Sequence, residues 1–143
     1  MTVKKSAATS ADEKAIVNIL NRVVESVHKL DYAGVRDLIP DDGMYFGSVT
    51  PVARGFQELY EQQFSKVWPN ISEFKMVDES IALQVCGPLA WATSLFVSGG
   101  KGSDGELIQR KGRMTFVFER RDGNWVMVHS HDSLYPVPPG AAS

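Results

Sequence analysis

Cysteine is almost missing from this chain. Cys86 is the single one, so no disulfide can close within the chain, and a redox or zinc-binding cysteine pair has no second thiol. An excess of either charge is missing too. Fifteen Lys and Arg oppose 17 Asp and Glu, for a net charge of −2, which leaves no basic surplus to hold a phosphate backbone or an anionic bilayer. Nucleic acid and membrane are therefore not expected partners. The opening MTVKKSAATSADEK lacks the apolar stretch of a secretory signal, so a cytoplasmic location is expected. Phosphate loop, dinucleotide glycine fingerprint and serine elbow are all lacking. Nucleotide-dependent and serine-hydrolase chemistry have no support, and no cofactor is expected.

What is present suits one folded domain. The 143 residues are 43% hydrophobic and 22% charged, enough apolar side chain for one sizeable core. The reading assigns residues 10–136 to that domain and residues 1–9 and 137–143, the latter ending in a Pro-rich tail, to flexible ends. Ser10 with Glu13 fits a capping box. After it, Ile16, Ile19, Leu20, Val23, Val24, Val27 and Leu30 recur at the three-and-four spacing of a single helical stripe. Asp31 can cap a short helix through Ile39, which Pro40-Asp41-Asp42-Gly43 would stop. Met44 to Val49 reads as a short strand. A third helix runs from about Gly55, with Phe56, Leu59, Tyr60, Phe64, Val67 and Trp68 on one side, until Pro69.

From Ile71 the period changes to two and the composition to β-branched and aromatic residues. Strands are predicted near 72–78, 80–86, 89–98, 106–120 and 124–135, with Gly87-Pro88, Gly99-Gly100-Lys101-Gly102 and Asp122-Gly123 as turns between them. Helices followed by a meander of hairpins predict an α+β fold with antiparallel strand pairing.

This order of elements, with the stretch from Gly112-Arg113-Met114-Thr115-Phe116 through the Asp122-Gly123-Asn124-Trp125 turn to His129-Ser130-His131-Asp132-Ser133, resembles the SnoaL-like branch of the nuclear-transport-factor-2-like superfamily. Within that branch it is most similar to bacterial relatives of the calcium/calmodulin-dependent kinase II association domain. The resemblance implies a cone of curved antiparallel sheet closed by three N-terminal helices, usually dimeric, with a pocket between helices and sheet. Functions in the superfamily range from isomerases, dehydratases and cyclases to oligomerisation alone. The steroid isomerases of this fold use a Tyr, a base Asp and a protonated Asp. Those positions match Val23, Gly47 and Met114 here, none of which can move a proton, so that mechanism is disfavoured.

Alternation along the last two strands sorts their side chains between two faces. Met114, Phe116 and Phe118 with Val126, Val128, Ser130 and Asp132 form the more apolar set, expected to face the helices. Arg113, Thr115, Val117 and Glu119 with Trp125, Met127, His129, His131 and Ser133 form the outer set, expected to be covered by a second copy in a homodimer. A carboxylate among Phe116, Phe118 and Val128 is unfavourable unless paired, neutral or wetted. Asp132 is thus the candidate acid or base for a small hydrophobic organic ligand, with a strand-end cap as the plainer alternative. Tyr45 is a candidate donor into the pocket or, alternatively, a rim residue. Trp68 and Trp91 either line the pocket or fill the core. His129 and His131 share one strand face as a chelating pair would, but no third ligand has a motif spacing, so no metal site is assigned. Two functions stay open: a cofactor-free isomerase, dehydratase or cyclase using Asp132, and a non-catalytic oligomerisation or accessory module.

Overall fold

Helix α1 spans Ser10–Lys29 in a computed structural model that describes residues 10–101 and 104–136. Its stripe buries Ile16, Ile19, Leu20, Val23 and Val27, each contributing roughly 1.5–3 kcal/mol on leaving water. Ser10 is already helical, and its side chain, half of the expected capping box, lies outside the described residues, as do the two expected flexible ends. The helix stops in a Schellman turn. Leu30 donates to the Val27 carbonyl and Asp31 to that of Ser26, with Leu30 itself left-handed at φ 51° where glycine is usual.

Asp31 then accepts from the Gly34 amide and starts a 3₁₀ helix, Tyr32–Leu38, which buries Val35 and Leu38. The third helical segment is composite: α2, Gly55–Leu59, a π turn, Tyr60–Phe64, α3, Ser65–Val67, and a 3₁₀ turn, Trp68–Asn70, that takes in Pro69. Between the second and third segments lies a hairpin, β1, Met44–Gly47, and β2, Thr50–Arg54. The second strand was not expected from the sequence, because Pro51 argues against a strand interior; here it lies in an edge strand, where a missing N–H is tolerated.

The remaining strands are β3, Ile71–Met76, β4, Ala82–Cys86, β5, Leu89–Lys101, β6, Leu107–Arg121, and β7, Asn124–Leu134. They form one curved, open sheet in the order β2-β1-β7-β6-β5-β3, with β4 also on β5. The all-antiparallel expectation needs correcting, since β1 runs parallel to β7 while every other pair is antiparallel. Gly99 and Gly100 also belong to β5, opposite Gln109 and Ile108, and not to a turn.

Candidate functional site

A bulge in β7 determines which side chains reach the space between helices and sheet. Val117 pairs with His129, but Phe118 pairs with Met127, so Val128 has no partner across the ladder. The extra residue inverts the alternation on the turn side of the bulge. Trp125 and Met127 therefore lie inside, 7% and 5% exposed, and Val126 and Val128 fall out of the core. This reverses the expectation from strict alternation for all four. Beyond the bulge the phase is as expected, and Ser130 and Asp132 share the inner face with Phe116 and Met114, their cross-strand partners.

The inner space narrows to a cavity of about 70 Å³. Val23 and Val27 of α1, Val35 and Ile39, and Leu59, Phe64 and Trp68 of the third helical segment face it from one side. Phe96, Met114, Phe116, Met127 and Ser130 close it from the sheet. Trp68 is clamped there by stacking, with ring centroids 4.4 Å from Phe64 and 5.2 Å from Tyr32. An outer cleft of about 430 Å³ runs past the end of α1 and along β3, and Val27, Trp68, Ile71 and Phe74 line both spaces. Those four side chains are the partition between a roomy cleft and the small inner chamber.

Asp132 and Arg110 are the ionisable residues lining this cavity. Asp132 Oδ1 is sealed from solvent and has no hydrogen-bond partner among the described residues. Burial pushes its carboxyl up to about 7, and the charge of Arg110 opposes that rise only in part. The same burial lowers the pKa of Arg110, which the carboxylate of Asp132 partly counters. Such a carboxyl is half ionised near neutral pH, the condition under which one group can both take and return a proton.

Other expected site residues lie elsewhere. Tyr45 is fully buried and its hydroxyl donates to the Met127 carbonyl at 2.6 Å, so it is not available to a ligand. Phe118 is core and Val128 stands on the other face; neither lines the cavity. Trp91 alternates outward between buried Ala90 and Ala92 and is 40% exposed. His129 Nδ1 donates to the Met44 carbonyl at 2.7 Å, and both His129 and His131 meet the Phe46 ring edge-on. Among the described residues no group of three His, Cys, Asp or Glu is placed to hold a metal ion.

The SnoaL-like domain family matches residues 16–138. The chain belongs to that family. Solved structures similar to this SnoaL-like domain include a nuclear-transport-factor-2-like superfamily protein from Salmonella enterica, with TM-score 0.77, 21% identity, and 95% of this chain and 99% of that one covered. A candidate dehydratase of the same superfamily from Streptomyces avermitilis gives TM-score 0.74 at 19% identity over 91% of this chain and 100% of that one. The association domain of C. elegans calcium/calmodulin-dependent kinase II gives 0.67 at 16% identity, covering 86% and 95%. These likenesses show a shared fold. No curated protein sequence matches this SnoaL-like domain significantly.

Where the steroid-isomerase match places Gly47, the space is filled from the third helical segment. A Cβ on Gly47 would overlap the Gln63 carboxamide. Gln63, 5% exposed and inside the π turn, accepts from Thr50 Oγ1 at 2.8 Å and the Val49 amide at 3.1 Å, and donates to Ser48 Oγ at 3.0 Å. It thereby ties the β1–β2 turn over the cavity of this SnoaL-like domain. Sequence reasoning missed Gln63, Ser48 and Arg110. The π turn shifts the helical register that would have flagged Gln63, whereas the inward phase of Arg110 was open to the same alternation that placed Met114.

Proposed function

We propose that this SnoaL-like domain binds a small, mainly apolar organic molecule in its inner cavity and transfers a proton with Asp132, in a reaction of the isomerase, dehydratase or cyclase kind. The observation that supports this most is the Asp132 carboxyl, with one oxygen buried and unpartnered in an apolar chamber. Desolvation raises its proton affinity, and a carboxyl that titrates near 7 can remove a proton from a carbon or oxygen acid and deliver it to a neighbouring atom. Arg110 lies on the same wall, where its charge favours the ionised carboxylate and any negative charge developing on substrate. A transfer of this kind needs no cofactor. Tyr45 has no part in it, since its proton is committed to Met127.

Two measurements test the reading. Carboxyl-detected NMR titration of Asp132 is expected to show a midpoint near neutrality, and Asp132→Asn is expected to abolish turnover of any substrate identified while keeping the fold. A midpoint in the ordinary carboxylate range would end the case for proton transfer here.

A second reading rests on the outer sheet face, where Leu89, Trp91 and Leu95 are 50%, 40% and 39% exposed. Such a patch is unusual on a monomer. It supports a homodimer through this face, and with it a non-catalytic assembly role in which the cavity has no duty. Dimerisation is compatible with both readings; the Asp132 titration separates them.

A further inference from the structure

The polar end of the cavity has more hydrogen-bonding capacity than the described residues use. Arg110 lies on β6 and Asp132 on β7, both on the inner face. Ser98 of β5 is the cross-strand partner of Arg110 and is 3% exposed. Its Oγ is buried without a partner, like Asp132 Oδ1, but of these two only Asp132 lines the cavity. The Arg110 stem lies flat across β5 because position 100 is glycine: a Cβ there would stand 2.7 Å from Arg110 Cδ. Its guanidinium, partly withdrawn from water, forms no ion pair among the described residues. Asp132 acts on it electrostatically from beyond ion-pair distance.

A half-buried guanidinium without an ion pair and an orphaned carboxyl oxygen on two adjacent strands of the cavity wall are costly unless something completes them. We infer that this end of the cavity receives the carboxylate of a small organic acid, with Arg110 as the charged donor and Asp132 as a hydroxyl donor. A carboxylate fits for three reasons. Its two oxygens match the planar fork of the guanidinium. A single cation neutralises one negative charge and leaves a dianion such as sulfate half paired. The wall beyond is mostly apolar, with Phe96, Met114 and Phe116, and suits a short hydrocarbon body in a chamber of about 70 Å³. The Asp132 carboxyl, pushed up to about 7, is largely protonated below neutrality and then donates a hydrogen bond to the incoming anion. The inference rests on the reading of this cavity as a ligand site and specifies the ligand class it selects.

The test compares sodium propionate with 1-propanol, a neutral probe of similar size, and with sodium sulfate, a dianion at this pH, on the full chain at pH 6 with sodium concentration matched by NaCl. Amide and guanidinium NMR resonances are followed. Propionate is expected to shift the signals of Arg110 and Asp132 saturably, while propanol and sulfate do not. Arg110→Gln is expected to raise the propionate Kd at least about tenfold, the loss of one charge-assisted bond. Equal binding of propionate and propanol by the wild type, or equal propionate affinity in wild type and Arg110→Gln, would overturn the inference. The wild-type comparison decides the matter if the variant does not fold. An Asp132 midpoint near neutrality with no propionate binding would remove the carboxylate inference alone. Arg110-dependent propionate binding with an ordinary Asp132 midpoint would remove proton transfer alone.

Discussion

The Tyr45 hydroxyl donates to the Met127 carbonyl across 2.6 Å of buried interior, one residue before the unpaired Val128 of the β7 bulge. A bulge interrupts the ladder and leaves backbone groups short of partners, so this bond fastens β1 to β7 where the ladder is weakest. Tyr45→Phe keeps the ring and strips the donor from a buried acceptor. It is expected to cost about 1–3 kcal/mol in denaturant unfolding, with the ligand-binding properties of the cavity unchanged. A variant as stable as wild type would show that the Met127 carbonyl finds another donor.

Gly43 makes room for the same hydroxyl, since a Cβ there would overlap Tyr45 Oη and the adjoining ring carbon. Gly43→Ala is therefore expected to destabilise by about 1–3 kcal/mol through overpacking. Removing the hydroxyl relieves the nearest overlap, so Gly43→Ala with Tyr45→Phe should lose less than the sum of the two single changes. Strict additivity in a double-mutant cycle would contradict the steric account.

Much of this architecture was readable from periodicity. The stripe Ile16 to Val27 and the Asp31 cap are local signals, and β4 to β7 follow period two with turn residues between them. What escaped depends on distant contacts. Thr50–Arg54 is a strand because β1 pairs with it, despite Pro51. Gly99 and Gly100 read as a turn because glycine marks turns, yet here they admit Ser72 and the Arg110 stem. Strict alternation placed Trp125 and Met127 outside because no residue type announces that Val128 will bulge. Asp132 could be placed inside because the ladder from Ser130 onward is regular, and its prominence rested on charge in an apolar row. Its counterpart Arg110 went unread, four positions before Met114 on the same face.

The bulge also changes what two substitutions should do. Met127→Glu buries a carboxylate beside the cavity and is expected to destabilise the fold by several kcal/mol, not to release an intact monomer. Trp91→Glu on the outer face should instead leave the melting of the protomer nearly unchanged and shift light scattering from dimer to monomer. A Trp91→Glu protein that remains dimeric would remove this face from the proposed interface.

Gln63 links the third helical segment to three successive residues at the β1–β2 turn, Ser48, Val49 and Thr50. Gln63→Ala strands the buried Thr50 hydroxyl, while the Val49 amide, on an exposed residue, can turn to water, and a loss of about 1–3 kcal/mol is expected. Amide exchange should quicken most at Val49. Unchanged protection there would mean that the turn holds its shape without the carboxamide.

Asp132 gives the fold a pH dependence of fixed sign. Its folded-state carboxyl titrates near 7 instead of the ordinary 3.8, burial being the cause and Arg110 a partial offset. The folded chain therefore binds this proton more tightly than the unfolded chain does. The stabilisation linked to it is fully present below about pH 4, declines as pH rises, and is gone once pH passes the folded midpoint near 7. Asp132→Asn cannot ionise, so it removes this dependence while keeping the shape of the side chain. Wild type and variant are expected to melt at similar temperatures at or below about pH 4. By pH 8.5 the variant should be the more stable by a few kcal/mol, since each pH unit between the two midpoints contributes about 1.4 kcal/mol. Thermal melts across that range measure it directly, and comparing the two proteins cancels every other titrating group. A difference that shrinks with rising pH would mean that the carboxylate is stabilised in the folded state, with Arg110 outweighing burial. Proton transfer at neutral pH would then need another group.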